Sequence, residues 1–122
     1  MSSHLQPKCL TFKSGGSIAK GTAVKIGADN LHVVVCSAKT DRSIGIAQND
    51  VTGAEQLVEV ALPGGGSKAK AGGSVSAGDL VAPTTDGSLI TTTGPGDRYI
   101  AMALEDAASG DLFATNIVPG LI

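Results

Sequence analysis

A chain of 122 residues whose aromatic residues are Phe12, Tyr99 and Phe113, with seventeen glycines, can bury one modest core of Val, Ile, Leu and Ala and reads as a single domain. A net charge of −2 excludes a dedicated nucleic-acid binder, which needs a basic face to displace the counterions of phosphate. No apolar run approaches the roughly 18 residues of a membrane span. Two cysteines are too few for a disulfide framework and no charged-then-apolar leader opens the chain, so the expectation is a soluble protein folded inside a cell, with Cys9 and Cys36 as free thiols.

Residues 1–14 read as an extended arm that ends in a strand. Pro7 bars a helix, and beyond it Cys9, Thr11 and Lys13 alternate with Leu10 and Phe12. Short strands are then predicted at Ala23–Ile26, 31–36, 44–48 and 56–62. The β-branched run 31–36 is expected to be the most buried of these, and Val58, Val60 and Leu62 form the better core face of the last. The segment 63–73 (PGGGSKAKAGG) is so rich in turn residues that it reads as an exposed loop or flexible strap. Further strands follow at 80–82, 88–92, 99–104 and 112–118. Only 101–108 (AMALEDAA) has helical propensity, and its counterpart 45–52 (GIAQNDVT) does not share it.

That counterpart exists because the chain repeats itself. Gly-Gly-Ser-Ile-Ala-Lys-Gly-Thr-Ala-Val at 15–24 recurs at 72–81 with five of ten positions identical, and Asp41, Arg42, Ile44 and Ala47 recur as Asp97, Arg98, Ile100 and Ala103. Two copies with a period near 56 residues are too few for a solenoid, which needs about three. The sequence therefore implies an all-β fold: a small β-barrel, residues 15–122, built from two similar halves (15–64 and 72–120, joined by the loop 63–73) about a pseudo-twofold axis and preceded by the arm 1–14. Net charge drifts from +4 over residues 1–40 through −1 over 41–71 to −5 over 72–122, which suits head-to-tail docking of unlike surfaces as well as it suits solvated faces.

Reactive chemistry has little to stand on. His4 and His32 are the only candidate bases, and Ser76 lacks the leading glycine of a nucleophile elbow because Ser74 stands there. His32 and Cys36 share a strand face, but two ligands do not make a zinc site. Gly64, Gly66 and Ala69 match G-x-G-x-x-A without the helix such a motif must open. Asp29, Asp41, Asp79, Asp86, Asp97 and Asp111 all sit beside turn residues, where carboxylates bond the backbone. No catalytic, cofactor-binding or metal-binding residue is assigned, and no enzyme is expected.

The repeated phrases SIAKGTAV and SVSAGDLV, together with the ending IAMALEDAASGDLFATNIVPG, resemble the capsid decoration (cement) proteins of tailed bacteriophages over residues 15–120. The resemblance implies a structural β-barrel, commonly a homotrimer, on the outer surface of the virion near three-fold positions. There it bridges major capsid proteins against the pressure of packaged DNA, after assembly in the host cytoplasm. It implies no cofactor, no membrane and no direct nucleic-acid contact. The physical candidates for capsid contact are Leu5, Lys8, Leu10, Phe12 and Lys13, an apolar face with cations beside it that can add a strand to a neighbour's sheet. The competing reading makes 9–12 a first strand of the chain's own barrel. An alternative function is a non-catalytic adaptor or carrier barrel, since GTAVKIG and GDLVAP resemble turn phrases of biotinyl and lipoyl domains. Those domains present a lysine between methionines, and neither Met1 nor Met102 flanks a lysine.

Overall fold

Runs of alternating Val and Ala separated by glycine turns leave the backbone little choice but short strands, and ten of them account for the regular structure among the described residues. The computed structural model describes residues 8–27 and 32–122. In the first half the strands are β1 (Lys8–Ser14), β2 (Ala23–Ile26), β3 (His32–Val35), β4 (Gly45–Ala47) and β5 (Leu57–Leu62). In the second they are β6 (Gly66–Lys70), β7 (Leu80–Pro83), β8 (Leu89–Thr91), β9 (Arg98–Ala103) and β10 (Leu112–Leu121). No helix occurs among the described residues, and the helix-prone stretch after Ala101 is strand followed by turn.

The first half closes into a barrel of order β1-β3-β2-β4-β5, with β5 returning to β1. The second half is a five-stranded sheet of order β6-β10-β9-β7-β8, and a single parallel bridge between Ala71 and Leu89 brings its two ends together. Closure of this kind shortens the unpaired edges that Thr- and Val-rich strands would otherwise offer, leaving the first five residues of β1 open on one side among the described residues.

The duplication holds residue by residue. The pairing of Lys13 with Leu57 recurs as Lys70 with Leu112, and Ser14 with Val33 recurs as Ala71 with Leu89. Val24 with Val35 recurs as Val81 with Thr91, and Ile46 with Ala61 as Met102 with Asn116. Even the isolated bridge from Ile18 to Val51 has its copy from Val75 to Ala107.

Three expectations change. The loop 63–73 contains a strand, β6, because Ser67, Ala69 and Ala71 supply one buried face that the glycine content had hidden. The most buried strand of the first half is β4, wholly enclosed between β2 and β5, whereas in β3 only Val33 is fully buried. The halves also do not pack as a twofold pair. Ala23, Cys36, Ile46 and Ala61, on the outer face of the first barrel, join one core with Ala69, Leu89, Ile100, Phe113 and Ile117 of the second half. Their register equivalents in the second half, Leu80, Thr92, Met102 and Asn116, take no part in it. A separate core of Ile18, Val24, Val33, Ala47, Val51, Val58 and Val60 fills the first barrel.

Candidate interaction surface

β1 is a strand of its own barrel. It pairs with β5 from Lys8 to Lys13 and with β3 only at Lys13 and Ser14, so the outer edge of its first five residues carries no strand among those described. Of the sequence candidates, Lys8, Leu10 and Lys13 are exposed, Leu10 at 56%. Phe12 is half-buried against the first core and anchors the strand, and Leu5 lies outside the described residues. The strand's outer face is held by Thr11, whose hydroxyl donates to Glu59, and by the Lys13 ammonium 3.8 Å from Glu55. Glu55 also bonds Nε2 of His32.

Glu55 has φ of +65°, and its N–H donates to the Ser14 carbonyl. Gly110 holds the same place in the second half, with φ of +89° and its N–H on the Ala71 carbonyl. A left-handed backbone suits glycine and strains glutamate. The first half keeps a carboxylate there, facing both His32 and Lys13.

Between the halves the contacts run one way. The Lys70 N–H donates to the Gly21 carbonyl (2.8 Å), the Ala23 N–H to the Gly87 carbonyl (2.9 Å), and the Gln48 side-chain amide to the Ser67 hydroxyl (2.7 Å). β6 and the turn at Gly87 therefore meet the first half beside β2 and β4, next to a groove of about 310 Å³ lined by Lys20, Gln48, Ser67, Lys68 and Leu112. The corresponding face of the second half is more open among the described residues: Met102 is 38% exposed where Ile46 is fully buried, and Leu104 is 50% exposed. No local sequence signal marks this second patch. Only the register shows Leu104 in the place of Gln48, a signal available once the copies are aligned strand by strand.

The acidic residues do what turn carboxylates do. Hydroxyls of Ser88 and Thr84 and the Ser88 N–H hold the Asp86 carboxyl down at about 2. Asp79 is lowered by the Ser76 N–H and the Thr91 hydroxyl, Asp41 chiefly by the Ser37 N–H, and Glu105 chiefly by the Ala114 N–H. Both thiols are free; Cys9 is exposed, while burial pushes Cys36 up to about 11. Among the described residues no three metal-ligating side chains cluster. Lys25, the lysine of the GTAVKIG phrase, lies within β2 and is paired with Asp41 at 3.0 Å.

What the geometry offers is thus surface: an exposed strand edge with cations on one half and an apolar patch on the other. The family of phage cement proteins matches residues 6–118. The chain belongs to that family. As a cement protein it is one of the structural proteins that decorate phage heads. Comparison with curated proteins finds no match. Among solved structures, the N base of the head fiber gp8.5 of bacteriophage phi29 is similar, with a TM-score of 0.72 at 19% identity over 93% of this chain and 95% of that one. At that identity the likeness is one of fold.

Proposed function

We propose that this cement protein binds the outer surface of a phage head as a homotrimer, bridges neighbouring major capsid proteins, and so resists the outward pressure of packaged DNA. The role is structural and assigns the chain no reaction, cofactor, membrane or direct nucleic-acid contact. Assembly takes place in the host cytoplasm. Supporting the reading is the family membership, with β1 as the observation that carries it: the strand presents Lys8, Leu10 and Lys13 to solvent along an edge whose first five residues have no strand partner among the described residues. A strand edge of that kind takes up an extended segment of a neighbour through main-chain hydrogen bonds, and lysines beside it select acidic surface. Lys8, Leu10 and Lys13 all lie on the strand, with Phe12 as the anchor that fixes it in its barrel. Nothing in the second half favours the carrier alternative.

The test is occupancy on purified heads by co-sedimentation. Removing residues 1–7 and replacing Lys8 with Glu is expected to cut occupancy at least tenfold, a loss of about 1.4 kcal/mol of binding, while the circular dichroism and melting of the isolated chain stay unchanged. Full occupancy by that variant would refute the arm as the capsid contact.

A further inference from the structure

The head-to-tail contact inside the chain leaves one half-interface unused at each end. β6 lies against Gly21 and Gln48, with Ile46 beside them fully buried; the register equivalents Gly78, Met102 and Leu104 have no such strand against them among the described residues, and Met102 and Leu104 are exposed. The equivalent of β6 is β1, whose Leu10 and Lys13 stand where β6 has Ser67 and Lys70. We infer that copies of this chain join head to tail, the Leu10–Lys13 edge of one seated on the face of Gly78, Met102 and Leu104 of the next, as β6 is seated against Gly21 and Gln48 within each chain. This deepens the reading above by naming the faces through which copies meet, and it rests on that reading for its multimeric state.

Three matched pairs carry the assignment. Inside the chain, Ser67 and Gln48 are a hydrogen-bonded polar pair at 2.7 Å. The equivalents are Leu10 and Leu104, both half or more exposed, so the two positions change from polar to apolar together. One such change would expose a leucine without purpose; the paired change gives each leucine the other as its cover. Second, Gly21 lies against β6, where a Cβ would come within 3.0 Å of the Lys70 nitrogen and 3.1 Å of the Leu112 side chain. Gly78 has the same conformation, φ +90° against +87°, with open space in place of those atoms. The residue equivalent to Leu112 is Leu57, 65% exposed and free to cover the Gly78 of a neighbour. Third, the charges agree in sign. Lys13 approaches a face where Asp79 follows Gly78 and Asp106 accepts the Ala77 N–H, and the first third of the chain is net positive where the last is net negative.

A contact between unlike faces is heterologous, so it generates a ring if the rotation closes and a filament if it does not. On this assignment Leu10 meets the neighbouring copy, and Lys8 with residues 1–7 remain for the shell.

The experiment is analytical ultracentrifugation of the full chain without capsids, using Leu10→Glu to spoil one face and Leu104→Glu to spoil the other. Wild type is expected to be multimeric, and each variant alone to sediment as a single chain with its native circular dichroism. Mixed in equal amounts, the two are expected to form a one-to-one dimer, because each supplies the face the other lacks. Leu57→Glu and Met102→Glu serve as a second pair should either first variant fail to fold. A monomeric wild type, variants that remain multimeric, or a mixture that stays monomeric would each overturn the inference. The outcome is separate from capsid occupancy: a monomer that still decorates heads would sink the faces and leave the function, and an intact multimer that never binds heads would do the reverse.

Discussion

The two halves share their strand order and register, yet they live in different surroundings. The first barrel has an apolar interior of its own and a second buried face, because Ala23, Cys36, Ile46 and Ala61 lie under the second half. The second half has one core, which it shares, and its Leu80, Met102 and Asn116 point away from it. A duplicated backbone therefore sets the fold twice, whereas the side chains at a handful of equivalent positions decide what each copy touches. Position 46 is a sealed Ile and position 102 a part-exposed Met on the same rung of the same ladder.

The contrast is broken most severely in the shared core. Phe113 occupies the place of Val58, and both are fully buried. Phe113→Ala is expected to cost about 3–5 kcal/mol and Val58→Ala about 2 kcal/mol, read as chemical-denaturation midpoints. Equal losses would mean that the two interiors are not organised as described.

Gly21 and Gly78 come next, as the same turn with and without a neighbour. Alanine at either position pays for a left-handed backbone, about 1 kcal/mol. At Gly21 it also meets the Lys70 backbone, so in a chain kept monomeric by Leu10→Glu, Gly21→Ala is expected to cost about 2–4 kcal/mol and Gly78→Ala only the smaller amount. Matching melting temperatures for the two variants would count against the head-to-tail packing of the halves.

Acid should act mainly through the second half. Asp79, Asp86 and Glu105 there, and Asp41 in the first half, have folded-state pKa values below their ordinary ones. Such groups add stability above the unfolded-state pKa, near 4, and that stability is lost as pH falls through the folded-state value, about 2 for Asp86. Melting temperature is expected to hold steady from neutral pH to about 5 and then to decline. Asp86→Asn should flatten the decline, and an unchanged acid limb in that variant would remove Asp86 from the explanation.

The smallest effect concerns Glu55, strained where Gly110 is not. Glu55→Gly relieves the strain and gives up the exposed pair with Lys13, worth between about 0 and 1 kcal/mol. A net gain of about 0.5 kcal/mol in unfolding free energy is expected. A clear loss would show that the carboxylate contributes more through His32 and Lys13 than its strained backbone costs.

Much of the fold was legible because it rests on local chemistry. Alternation of Val with polar residues placed β2, β5, β7 and β10 to within a few residues, and the repeated Gly-Gly-Ser phrase announced the duplication. β6 escaped notice because glycine-rich composition outweighed the alternation of Ser67, Ala69 and Ala71. The depth of β4 was hidden because three residues, Gly-Ile-Ala, carry almost no periodic signal and owe their burial to neighbours distant in sequence. The interaction surface was half visible. Leu10 and Lys13 stand out on an alternating strand, but Met102 and Leu104 read as ordinary strand residues until the register sets them against Ile46 and Gln48.

The most direct test of the account is a cryo-electron microscopy reconstruction of phage heads incubated with the purified chain. Density for the ten-stranded molecule on the outside of the shell, at junctions between major capsid proteins and with its N-terminal arm toward them, is the expected result. Heads that carry no such density at saturating protein, or that carry it only on the inner face, would contradict the assignment.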